Sequence, residues 1–304
     1  MKALTIRYNG PDMNPPQFTR QSDTPLFPTV LFNRPITRTG AGRLLVVGGH
    51  AGEFSQPTAI HQLALAAGLG ECRVVLPDNL AKFLSGAPGT YFVASSSSGS
   101  LGREALGRIL ELSEEADAVA LGASLSNNSN TTMLIDKLAS EIERPLIIFD
   151  EALPALKTNL GAVVGNPKSL LILTMPEVFK VCGALGIPIQ IRPGAGLLAK
   201  LEIVATLQTA CRCQIAVFST EIITSTADSL VVTPINYRLS MVPAVFYAVL
   251  STFWLQNQSS PHQGLATGAF VIAQASAGLG ATDRPSVGEL AAAIGRELRQ
   301  DQFT

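Results

Sequence analysis

Apolar residues in this chain come in short continuous runs at 44–47, 73–76, 118–121, 146–149, 170–173, 214–218 and 229–232, each of strand length. Helix-like stretches lie around and between them, including 61–67, 104–112, 132–142, 196–209 and 242–255. A strand that is apolar at every position must be covered on both faces, and the intervening helices supply the covers. The pattern predicts an α/β fold with a mostly parallel central sheet flanked by helices on both faces. One such domain is expected over 43–304, with no internal break. Residues 1–42 break the rhythm, because Pro11, Pro15, Pro16, Pro25, Pro28 and Pro35 leave little periodicity of either kind. They predict an extended proline-rich arm, over the domain surface or across a subunit contact, or a disordered extreme terminus.

The most telling junction is Leu44-Leu45-Val46-Val47-Gly48-Gly49-His50, an apolar run ending in a glycine pair and followed by a helix. Open α/β sheets bind ligands where strands end and helices begin. Gly48 and Gly49 therefore suit a ligand turn, and equally a tight turn whose close packing alone demands glycine. His50 is either an exposed loop residue or a donor to a bound phosphate.

Composition narrows the possible partners. Twenty-two basic and 23 acidic residues leave a formal charge of −1 with no basic block, which argues against nucleic acid and anionic membrane surfaces. The longest apolar run, 241–255, falls short of the roughly 20 residues a spanning helix needs and predicts a buried helix instead. With no export signal in view, the expected location is cytoplasmic. Cys72, Cys182, Cys211 and Cys213 lack the spacing of common zinc or redox motifs and read as buried free thiols. His50, His61 and His262 are too scattered to suggest a metal site.

A family resemblance emerges from the order of several motifs. They are Arg34-Pro35 through Arg43, the run from Leu44 to His50, Ala66-Ala67-Gly68-Leu69-Gly70, and Val74-Val75-Leu76-Pro77. In the same order follow Ala116-Asp117-Ala118-Val119-Ala120-Leu121-Gly122, Leu146-Ile147-Ile148-Phe149-Asp150, and Leu173-Thr174-Met175-Pro176-Glu177. Over about residues 34–275 this series resembles the ADP/ATP-dependent NAD(P)H-hydrate dehydratases of the ribokinase-like superfamily. The resemblance implies a single ribokinase-like domain and repair of hydrated nicotinamide cofactors coupled to ATP or ADP cleavage. It also implies a nucleotide or NAD(P)H-like ligand, with no particular metal indicated; the homo-oligomer is expected instead from the arm before Arg43, whose apolar Phe18, Leu26, Phe27, Leu31 and Phe32 suit a contact with another subunit. The implied cofactor-binding residues are Gly48, Gly49, His50 and Gly122; no catalytic residue is assigned.

The chain departs from that family at the junctions that carry chemistry. A Gly-Thr-Gly-Asp motif ahead of the large C-terminal helix supplies the family's phosphate cradle and its acid, and the corresponding stretch here is Asn236-Tyr237-Arg238-Leu239-Ser240. Tyrosine, arginine and leucine put bulk where main-chain amides should approach an oxyanion. Ser240 cannot replace a carboxylate base and suits a helix N-cap, with Pro243 in the first turn. The glycine-rich loop becomes Gly122-Ala123-Ser124-Leu125-Ser126-Asn127-Asn128, and a family Lys-Gly becomes Ser219-Thr220. Asp150 and Glu151 offer carboxylates at a strand end, where they serve a ligand or cap the next helix. The expectation is a divergent relative with impaired or lost catalysis that retains nucleotide binding, the alternative being an active dehydratase or kinase that recruits another acidic residue.

Overall fold

The computed structural model describes residues 17–84, 86–189, 196–225, 229–236, 239, 242–279 and 285–300. Ten strands form one sheet: β1 (Phe18–Arg20), β2 (Arg43–Val47), β3 (Glu71–Pro77), β4 (Thr90–Val93), β5 (Ala118–Leu121), β6 (Leu146–Phe149), β7 (Ser169–Thr174), β8 (Gln214–Phe218), β9 (Glu221–Ser225) and β10 (Leu230–Pro234). Their spatial order is β1-β10-β9-β8-β7-β6-β5-β2-β3-β4. Every neighbouring pair is parallel except those made by β9, which runs antiparallel to β8 and β10.

The helices are α1 (Pro28–Phe32), α2 (Ser55–Ala66), α3 (Ala81–Leu84), α4 (Leu106–Glu114), α5 (Ser129–Glu141), α6 (Ala152–Ala155), α7 (Leu160–Val164), α8 (Met175–Ala184), α9 (Leu197–Ala210), α10 (Ala244–Gln256), α11 (Pro261–Ala277) and α12 (Val287–Gln300). They cover both faces, as the continuous apolar runs require. Successive strand side chains point to opposite sides, so Leu44 and Val46 join one core while Leu45 and Val47 join the other. Residues of α2, α10, α11 and α12 close the first core; residues of α4, α5, α8 and α9 close the second.

Helix α10 realises the buried helix expected at the longest apolar run. Every residue from Ala244 to Leu255 is buried, so the helix must be wrapped on all sides. It begins after Pro243 with no side-chain cap. The expected cap, Ser240, lies outside the described residues, as do Tyr237 and Arg238 of the replaced motif. The turn leading into the helix is instead held by main-chain bonds, Leu239 N–H to Asn236 (3.0 Å) and Val242 N–H to Leu239 (2.9 Å).

The segment before Arg43 contributes elements that its proline spacing does not announce. β1 adds to β10 as the outermost strand, burying Phe18, and α1 starts at Pro28, where proline's missing N–H costs nothing. Gln21 then fastens this arm: its Nε2 donates to Thr233 Oγ1 (3.0 Å) and the Ala266 carbonyl (2.8 Å), and its Oε1 accepts from Leu26 N–H (3.0 Å). All four cysteines are free and buried.

Candidate functional site at the carboxyl edge of the sheet

The chain passes from β2 outward to β3 and β4, then returns to place β5 on the other side of β2. That reversal is a topological switch point, and ligands of such sheets gather outside the carboxyl ends of the strands there. Gly48, Gly49 and Gly122 all lie there. The loops touch so closely that a Cβ on Gly48 would fall 2.4 Å from the Ala123 carbonyl oxygen and 2.5 Å from that of Gly122. A Cβ on Gly122, whose φ is +148°, would fall 2.4 Å from both the ring and the carbonyl oxygen of Phe149. Gly49 sits at φ +76°. Packing alone therefore requires all three glycines.

The amides of this turn are committed to the protein's own acceptors. Gly48 N–H donates to Val75 (3.3 Å), Gly49 to Ala123 (2.9 Å), His50 to Glu53 (2.8 Å), Ala51 to Gly99 (2.8 Å) and Glu53 to His50 (3.0 Å). Gly52 N–H donates to His50 Nδ1 (3.0 Å), which leaves the proton of the neutral ring on Nε2. At the start of α2, where an anion would gain from the helix N-terminus, the Glu53 carboxylate is already installed. It accepts from Ser55 N–H (2.7 Å) and Ser55 Oγ (2.6 Å), and these bonds hold its pKa below the ordinary carboxylate value despite partial burial.

Two further loops complete this end of the edge. Ala123 and Ser124 both adopt left-handed backbone, at φ 60° and 61°, and Ser124 Oγ donates to Gln56 Oε1 (3.3 Å). Asn128 caps α5 by accepting from Thr131 N–H (3.0 Å), while its Nδ2 donates to Ser126 Oγ (3.0 Å). The serine-rich loop at 95–100 returns through Ser95 N–H to Asp78 (3.2 Å) and Ser96 N–H to Ser100 (2.7 Å). Non-glycine residues held in left-handed geometry cost roughly 1–3 kcal/mol each and cluster at functional sites.

A second feature lies at the ends of β6 and β7. Asp150 is the third left-handed non-glycine residue, at φ 55°. Glu151 occupies the cap position of α6 without making a capping bond, so the helix-capping role open to it is not used. Burial, then the neighbouring charge of Asp150, pushes the Glu151 carboxyl up to about 7. Burial, with a contribution from Asp150, also raises Glu177, although its carboxylate accepts from Thr174 N–H (2.6 Å) and Oγ1 (2.7 Å). Tyr247 of α10 stacks on Phe149 with centroids 4.1 Å apart, and the same three carboxyls act on its buried hydroxyl.

Ser219 and Thr220, at the position where the sequence resemblance expects Lys-Gly, make the tight turn between β8 and β9. A lysine arrives there from another element. Lys200 of α9 places its Nζ 2.6 Å from Glu221 Oε1 and 3.2 Å from Ser219 Oγ. Sequence reasoning missed Lys200, Glu221 and Tyr247, because each reaches the edge through tertiary packing, and Glu53, whose role depends on its side chain folding back onto Ser55. Glu177 was visible within the Thr174-to-Glu177 motif, without a role. Among the described residues no group of three His, Cys, Asp or Glu side chains could hold a metal ion, and no helix is long and apolar enough to cross a membrane.

Comparison with known proteins now bears on this geometry. A ribokinase-like superfamily protein of Enterococcus faecalis superposes with a TM-score of 0.72 at 13% identity, covering 93% of this chain and 96% of its own. The ADP/ATP-dependent NAD(P)H-hydrate dehydratase of Bacillus subtilis, co-crystallised with ATP and Mg²⁺, superposes at 0.62 with 14% identity, covering 92% and 99%. The fold is ribokinase-like. No family model matches the chain. Curated proteins similar in sequence include the bifunctional NAD(P)H-hydrate repair enzymes Nnr of Moorella thermoacetica, 29% identical over 153 residues, and Thermofilum pendens, 32% identical over 145 residues. The matches take in 49% and 46% of this chain, and 29% and 28% of those relatives' own length. The chain thus combines a ribokinase-like fold with sequence similarity, over about half its length, to the NAD(P)H-hydrate repair enzymes, of whose own length it spans less than a third.

Proposed function

We propose that the chain binds a nucleotide-type ligand, adenine or nicotinamide, at the carboxyl edge, and that its ATP- or ADP-driven dehydration of NAD(P)H hydrate is impaired or lost. The observation that carries the binding half is the topological reversal at β2 and β5, at whose carboxyl ends Gly48, Gly49 and Gly122 converge. His50 borders them with Nε2–H as a donor. The superposed dehydratase was crystallised with ATP and Mg²⁺, which supports a nucleotide as the ligand class.

The catalytic half rests on what replaces the family's parts. Asn236–Ser240 carries neither the glycines nor the acid of Gly-Thr-Gly-Asp. The amides from Gly48 to Glu53 are bonded within the protein, and Glu53 takes the anion position at the start of α2. The raised carboxyl of Glu151 favours the second reading, an active enzyme with a recruited acid. Steady-state assay of hydrated NADH with ATP or ADP separates the two. The proposal expects no nucleotide-dependent dehydration, whereas turnover in the common enzyme range of about 1–1000 per second supports the second reading.

The reading includes a homo-oligomer. Phe32, 84% exposed, and Ile36, fully exposed, lie close together in sequence and support a contact between copies.

A further inference from the structure

The start of α2 is already occupied. Its first two residues, Ser55 and Gln56, turn their N–H groups to the Glu53 carboxylate, which Ser55 also holds through Oγ (2.6 Å). The third, Pro57, has no N–H to give. Helix starts favour anions because their unpaired amides and dipole point outward, and here the chain has placed its own anion there. Among the described residues no lysine or arginine pairs with Glu53, so an approaching phosphate meets an uncompensated negative charge.

The starts of α5, α8 and α10, which rise from the same edge, are engaged in similar fashion. Asn128 accepts from Thr131 N–H at α5 (3.0 Å), and Glu177 accepts from Thr174 N–H at α8 (2.6 Å), where Pro176 removes a further donor. In α10 the N–H groups of Val245, Phe246 and Tyr247 donate to the carbonyls of Val242 and Pro243 (3.1, 3.0 and 3.2 Å). What the neighbourhood of Glu53 lacks is a donor. Asn79, just after β3, gives its Nδ2 to the Gly99 carbonyl (3.4 Å), which also takes Ala51 N–H (2.8 Å), while its Oδ1 is buried with no partner among the described residues. A hydroxyl or an amide N–H satisfies such an oxygen; an ionised phosphate, which only accepts, does not.

We infer that Glu53 sets the specificity of the proposed site: it stands in for a phosphate at α2, excludes phosphate from that place, and leaves a nucleotide to be held by its nucleoside part, the base and the ribose hydroxyls. This rests on the nucleotide-type ligand proposed above. Two like charges cannot share one helix start cheaply, so the phosphates stay in solvent and add little to affinity.

Calorimetric titration of the full chain with adenosine and ATP, and with nicotinamide riboside and nicotinamide mononucleotide, tests the selection. Within each pair the affinities should agree to about threefold, and a phosphorylated member about tenfold tighter overturns the inference. Glu53→Ala frees the amides of Ser55 and Gln56, so ATP affinity should rise about fivefold or more while that for adenosine stays the same. Pyrophosphate alone reads the same position without a nucleoside. It should leave the wild-type melting temperature unchanged and raise that of Glu53→Ala. Glu53→Gln, which keeps an oxygen for Ser55 and loses only the charge, should fold as the wild type does and respond in between. Stabilisation of the wild type by pyrophosphate, or of neither variant, overturns the role of Glu53. Absence of binding by every nucleoside and nucleotide overturns the proposed ligand, while the pyrophosphate result still decides Glu53.

Discussion

Gly48 is fixed by its neighbours before any ligand is considered, because the carbonyl oxygens of Gly122 and Ala123 stand where a Cβ would go. Gly48→Ala must push two backbone segments apart, at a cost of about 1–3 kcal/mol. Chemical denaturation should show that loss. Gly107→Ala in α4 meets nothing within 4 Å and should leave stability unchanged or raise it by about 0.5–1 kcal/mol. Glu151 behaves differently, since its effect depends on pH. Its folded-state value near 7 lies above the ordinary carboxyl value, so its contribution to stability is complete at pH below the ordinary value and is lost as pH rises through about 7. The melting temperature should fall over that window by more in the wild type than in Glu151→Gln; parallel pH profiles would contradict the assignment. At this scale the sequence displayed the right residue types at the strand ends. It could not display that Glu53 fills the anion position of α2, or that Glu151 leaves its helix uncapped, because both depend on side-chain direction after folding.

Elements were legible where one physical rule dominated. Strands β5, β6 and β8 match the expected bounds residue for residue; in β5 and β6 a run buried on both faces has no polar position to blur its ends. β9 escaped notice, since Glu221–Ser225 opens on an exposed turn and pairs antiparallel in a pattern otherwise parallel. β1 is only three residues long and owes its existence to β10. Gln21 secures it, and no periodicity announces a buried glutamine. Gln21→Ala removes three hydrogen bonds and strands buried partners, costing about 2–3 kcal/mol. A drop of several degrees in melting temperature should follow. An unchanged melting temperature would show that β1 contributes little to the sheet.

For the whole molecule, the layering of helices on a mostly parallel sheet followed from apolar patterning, and the ribokinase-like topology followed from the order of the junction motifs. Function was less legible because ligands of such sheets gather at loop ends, and loop geometry is set by tertiary contacts rather than by apolar patterning. Lys200 illustrates this: it brings an ammonium from α9 to the turn after β8. Light scattering examines the assembly. Phe32→Ser combined with Ile36→Ser should lower the mass of a homo-oligomer, and an unchanged oligomer would place its contact elsewhere. The central claim concerns ligand binding without ordinary turnover, and calorimetric titration of the purified chain with ATP, ADP and NADH examines it most directly. Saturable heat with at least one of these at millimolar concentration is the expected result, and no binding of any of them would contradict the account.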